Sequence, residues 1–169
     1  MMKKMMTSAV IMATMAATPA LAMNTDWFVG AGVGYQDDKV KGNNASNGED
    51  ANIQLRGGAI LNDRHRVMGT YGYADKNDQH LFLASYDYLL PVHDRVNLVA
   101  GVSVGAADNK LNGKSSTDFV WGGQVGAMYE IDRNWSTEIT YRYLDQDYSE
   151  KGTDIDYTQQ VVWSVDYRF

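Results

Sequence analysis

The chain of 169 residues carries 15 Lys and Arg against 21 Asp and Glu, a formal net charge of −6, and no cysteine. Its acidity disfavours nucleic acid as a partner, because binding a phosphate backbone depends on Lys and Arg to neutralise it. The absence of cysteine excludes thiol catalysis, thiolate metal sites and disulfides, and no run of 18 apolar residues offers a transmembrane helix.

Residues 1–22 read as a secretory signal peptide. Lys3 and Lys4 form a basic start, Ala9 to Ala17 an apolar stretch too short to anchor in a bilayer, and Thr18-Pro19-Ala20-Leu21-Ala22 a helix breaker followed by an A-x-A cleavage site. Cleavage after Ala22 leaves residues 23–169 as one domain. Two of the 15 basic residues leave with the signal, so 13 basic and 21 acidic groups remain, a net charge of −8.

From Trp27 onward the pattern has period two. Apolar and small or polar residues alternate over 27–35, 52–59, 67–73, 82–90, 96–105, 119–129, 135–143 and 161–169. Eight strands follow, most about as long as a tilted strand needs to cross a bilayer. Three connections are tight: Asn62-Asp63-Arg64-His65, Pro91-Val92-His93-Asp94 and Ile131-Asp132-Arg133-Asn134, with an Asp-Arg pair recurring at 63–64, 94–95 and 132–133. The other four, about 36–50, 75–79, 106–117 and 145–157, are longer and polar. Short periplasmic turns alternating with longer outer loops mark outer-membrane barrels, and an even strand count puts both chain ends in the periplasm.

The choice between a soluble and a membrane barrel rests on which face is apolar. One face carries Val, Leu, Tyr and Trp; the other is read as Gly, Ser, Asn, Gln and charges. Eight strands leave an interior wide enough only for side chains. The aromatic face would overfill it, whereas Gly30, Gly32, Gly34, Gly72, Gly101, Gly105, Gly122 and Gly126 would make room there for larger polar residues. The expected fold is therefore all-β, an eight-stranded antiparallel up-and-down transmembrane barrel with its apolar face in lipid. Aromatics near the strand ends fit two interfacial girdles: Trp27, Tyr88, Tyr129, Trp135, Tyr167 and Phe169 on the periplasmic side, and Tyr35, Tyr73, Phe82, Phe119, Trp121 and Tyr143 on the outer side.

Glu130-Ile131-Asp132-Arg133-Asn134-Trp135-Ser136-Thr137-Glu138-Ile139-Thr140-Tyr141-Arg142-Tyr143 resembles the penultimate hairpin of the OmpA-like and OmpX/Ail-like barrel families, and Trp163 to Phe169 resembles their closing strand. The likeness covers the mature chain in layout and the last 40 residues in motif. It implies an outer-membrane location, Tyr167 and Phe169 as the signal for the barrel-assembly machinery, and contact with lipid and lipopolysaccharide. It also implies loops offered to host surfaces or phage. Asp166 departs from the small or apolar residue frequent in the family. No peptidoglycan-binding domain is expected.

Several residues are candidates for a role inside the barrel. Arg56, Asp87, Glu138 and Asp166 are expected at one depth, with Gln54, Gln124, Arg142 and Gln160 about one layer above. Buried charges must pair, so a plug of ion pairs is expected, with a narrow path for ions or small solutes as the alternative. Lipid A-modifying enzymes with a histidine at the outer rim share this fold. Here His65 and His93 read as turn residues on the wrong side, and His80, without the His-x-Ser spacing, reads as an ordinary loop residue. Asp145, Asp147 and Glu150 form an incomplete divalent-cation loop, and a solvated acidic loop is the simpler reading. The expectation is a monomeric, non-enzymatic barrel with no cofactor and a role in envelope structure and surface interaction.

Overall fold

The structure, a computed structural model, describes residues 24–41, 48–74, 79–111, 114–146 and 154–169. Segment 1–22 lies outside them. Eight strands run in order: β1 (Thr25–Lys41), β2 (Gly48–Leu61), β3 (His65–Ala74), β4 (Gln79–His93), β5 (Val96–Leu111), β6 (Lys114–Glu130), β7 (Trp135–Gln146) and β8 (Asp154–Arg168). Each pairs antiparallel with its neighbour, and β8 returns to β1, so the sheet closes into a barrel with no edge. Closure gives every strand a hydrogen-bonding neighbour on both sides, the condition for crossing hydrocarbon. Phe169 extends the seam, donating its backbone N–H to the Trp27 carbonyl at 3.0 Å.

The tight turns gather at one end of the barrel. At Leu61–Arg64, both central residues are left-handed, Asn62 at φ 51° and Asp63 at φ 58°, and Arg64 N donates to Leu61 O at 3.2 Å. This is the mirror-image turn whose twist suits a hairpin, and Asn and Asp tolerate it better than other side chains. At 131–134, the Asp132 carboxylate accepts from the backbone N–H groups of Asn134 and Trp135, both at 2.8 Å.

Strand lengths differ from the sequence reading. Pro91, Val92 and His93 belong to β4, with a register shift between Pro91 and His93. The turn there shrinks to Asp94-Arg95, because a bulge accommodates the missing N–H of proline. His65 likewise opens β3 instead of lying in a turn. At the opposite end, much of the supposed loop sequence is strand: β1 reaches Lys41, β5 and β6 extend to Leu111 and from Lys114, and β7 and β8 extend to Gln146 and from Asp154. A ladder keeps its backbone hydrogen bonds wherever it extends. Where both faces meet water, no apolar period reveals it.

The outward stripe is Val29, Val33, Ile53, Leu55, Phe82, Val102, Val104, Trp121, Val125, Ile139 and Trp163, all exposed. Several polar ring atoms on this surface are paired. Trp163 Nε1 donates to Thr137 Oγ1 at 2.8 Å, His65 Nδ1 lies 2.7 Å from the Tyr86 hydroxyl, and His80 Nδ1 lies 2.8 Å from the Tyr71 hydroxyl. Such pairing is needed where lipid offers no partner. His80 is thus a strand residue facing outward, ring-stacked on Tyr71, and not a loop histidine.

Candidate functional site: the barrel axis

The inward stripe carries the charged candidates. The structure places Gln54, Arg56, Asp87, Gln124, Glu138, Arg142, Gln160 and Asp166 in the interior, each almost completely buried. Arg56 grips Asp166 with two parallel bonds, Nε–Oδ1 at 2.7 Å and Nη2–Oδ2 at 2.5 Å, and reaches Glu138 Oε1 through Nη1 at 3.0 Å. A fork-to-fork pair of this kind fixes direction as well as distance.

Arg66 completes the cluster, and the sequence reading missed it. Its Nη1 donates to Glu138 Oε2 at 2.6 Å and its Nε to Asp87 Oδ2 at 2.9 Å. Glu138 therefore bridges two guanidinium groups and also accepts from Thr140 Oγ1 at 2.6 Å. Gln124 donates to Asp87 and accepts from Arg142 Nε at 2.8 Å. Three arginines and three carboxylates make the cluster formally neutral. Its members come from β2, β3, β4, β6, β7 and β8, so it ties together strands remote in sequence. One step more of the period-two pattern, from Met68 back past Val67, would have placed Arg66 inside. Its position at the very start of β3, two residues after the turn residue Arg64, hid that.

A second group lies toward the loop end on the β8–β1–β2 side. Gln160 Nε2 donates to Gln36 Oε1 at 2.8 Å, and Gln54 spans between Asn52 and Gln160. The cavity among these amides is about 10 Å³, at the lower limit for holding one water.

The inner face is less polar than the sequence reading had it. Phe28, Ile60, Met68, Leu89, Val99 and Met128 form an apolar cluster at the turn end of the axis. Leu81, Leu83, Ala107, Val120 and Leu144 form another near the loop end, on the β4 to β7 side. The ion pairs thus lie between an apolar layer below and a mixed apolar and amide layer above. Glycines supply the space. A Cβ at Gly30 would overlap the Asp166 carboxylate, and one at Gly101 would overlap that of Asp87. Gly101→Ala should therefore cost about 1–3 kcal/mol, the usual range for forced overpacking. Gly123→Ala, whose Cβ would meet nothing closer than 3.7 Å, should be near neutral. Urea unfolding midpoints of the two variants in vesicles make the comparison.

Of the divalent-cation candidates, Asp145 sits in β7 opposite Trp121 and Tyr157. Asp147 and Glu150 lie outside the described residues. Among the described residues no three His, Asp or Glu side chains gather in a metal-binding group.

The family described as the outer membrane protein beta-barrel domain matches residues 8–169. The chain belongs to that family. It is an outer-membrane β-barrel protein, and its neighbours among solved structures share the fold. Neisserial surface protein A is 19% identical, with a TM-score of 0.63 over 86% of this chain and 99% of that one. Outer membrane protein H from P. aeruginosa, solved in micelles, is 23% identical, with a TM-score of 0.64 over 85% and 99%. The N-terminal barrel domain of Pseudomonas aeruginosa OprF is 12% identical, with a TM-score of 0.59 over 83% and 97%. No curated protein matches the chain.

Proposed function

We propose that this outer-membrane barrel is a closed, non-enzymatic scaffold that contributes to envelope integrity and presents its loop end to surfaces outside the cell. The observation that carries this reading is the filled axis: among the described residues, a neutral cluster of ion pairs between packed layers leaves no path and no reactive pocket along the centre. Function then falls to the two ends. The turn end, with Phe169, faces the periplasm, where Tyr167 and Phe169 serve assembly. The loop end, acidic at 145–156, faces out toward lipopolysaccharide, host surfaces or phage.

The test is a deletion strain complemented with the intact chain or with one shortened in segments 42–47 and 147–153. The intact chain should restore adhesion and serum resistance, and the shortened chain should restore only detergent tolerance. Equal restoration of adhesion and serum resistance by both would contradict a loop-borne role. A mass spectrum of lipid A that changes with His80→Ala would contradict the non-enzymatic reading.

A further inference from the structure

A cleft of about 330 Å³ opens at the turn end between the β4–β5 and β6–β7 turns, lined by Asp94, Arg95, Glu130, Ile131, Asp132 and Arg133. The two turns are tied together, since Glu130 N donates to the Arg95 carbonyl at 2.8 Å. Two of the three acids are engaged: Asp132 caps its own turn, and Glu130 accepts from Arg168 at 3.3 Å and from Asn97 at 3.2 Å. Arg95, Arg133 and Asp94 have no side-chain partner among the described residues. The cleft therefore offers two uncommitted guanidinium groups and one uncommitted carboxylate on a braced backbone. Its outer wall continues into exposed apolar surface at Ile131, Tyr129 and Leu98.

We propose that this cleft binds the phosphoethanolamine headgroup of a zwitterionic phospholipid. Guanidinium forks suit phosphate oxygens, so Arg95 and Arg133 hold the phosphate. Asp94 accepts from the ammonium group. The acyl chains follow Ile131, Tyr129 and Leu98 into the hydrocarbon, below the level where aromatic side chains favour the interface. A purely anionic headgroup would leave Asp94 facing a phosphate without a cation of its own. A choline headgroup has no N–H to give Asp94. The orientation proposed above decides only which leaflet supplies the lipid.

The third turn provides an internal control. Asp63-Arg64 has the same dipeptide and comparable exposure but lines no part of this cleft.

The experiment is native mass spectrometry of the folded barrel in micelles doped with phosphatidylethanolamine, phosphatidylglycerol or phosphatidylcholine of identical chains. Phosphatidylethanolamine should be retained most. Arg95→Ala with Arg133→Ala should lower that retention about tenfold, as loss of two solvent-exposed charge pairs implies. Asp94→Asn should bring phosphatidylethanolamine down to the level of phosphatidylcholine, and Arg64→Ala should change nothing. Phosphatidylglycerol retained as well as phosphatidylethanolamine would overturn the proposal, as would equal effects of Arg64→Ala and the double variant. Retained heat-modifiable gel mobility checks that each variant is folded. Because micelles have no inside or outside, failure here leaves the reading of the loop end standing, and failure of that reading leaves this site standing.

Discussion

Replacing Glu138 by glutamine should destabilise the barrel by about 3–5 kcal/mol, the usual cost of removing one partner from a buried ion pair. Among the described residues, only Glu138 contacts both Arg56 and Arg66, at 3.0 and 2.6 Å. All three side chains are almost fully withdrawn from solvent. The amide keeps the shape but leaves the cluster with an uncompensated positive charge that no water reaches. Removing Arg66 as well, as Arg66→Met, restores neutrality, because Arg56 keeps Asp166 and Asp87 keeps Gln124. The double variant should therefore be less harmed than the sum of the two single changes, with a coupling of about 1–3 kcal/mol. Equilibrium unfolding in urea with vesicles reads all four proteins. A Glu138→Gln loss below about 1 kcal/mol would show that the cluster is hydrated and the axis open.

The second large effect lies on the opposite face. Val102 is 60% exposed, and on a soluble barrel Val102→Arg would shift stability by no more than about 0.5 kcal/mol. In a bilayer the same change should cost about 2–4 kcal/mol, since arginine near the midplane of a barrel's lipid face loses its hydration. Val102 pairs with Tyr86 and Gly123 across β4 and β6, in the middle of the apolar band. Unfolding in vesicles should show the loss, and a position beyond the band, such as Val92 beside the β4–β5 turn, should tolerate arginine with a much smaller one.

The eight strands were legible because lipid imposes one strong rule on every second residue. Trp27 to Tyr35 and Phe119 to Tyr129 alternate with almost no exception, and the closed eight-stranded sheet follows that count. The rule is silent in two places. Beyond the hydrocarbon both faces of a strand meet water, so the extensions of β1, β5 and β8 read as polar loop. Inside the barrel, packing accepts leucine, valine and methionine as readily as lipid does. Phe28, Leu89, Val99 and Met128 stand in the correct alternate positions, but nothing in the alternation itself separates an apolar residue packed on the axis from one facing lipid.

The charged layer was legible in outline for a related reason. An arginine or glutamate that alternates with the apolar outward stripe of a membrane strand can only point to the axis, which places Arg56, Glu138 and Arg142. Arg66 is less legible because it is the second residue of β3, where the alternation has only just begun. Which acid each arginine contacts depends on the offset between strands remote in sequence, and alternation along one strand carries no information about that offset. The Asp-Arg repeat is visible, but its grouping of two turns into one cleft follows from the register between β5 and β6, which alternation along one strand does not give.

Single-channel recording in planar bilayers tests the central claim, that the axis is filled, most directly. The intact protein, inserted as a folded and heat-modifiable barrel, should give no conductance above the bare bilayer. Discrete openings whose size changes with Glu138→Gln or Arg142→Met would contradict the account and make the barrel a narrow pore.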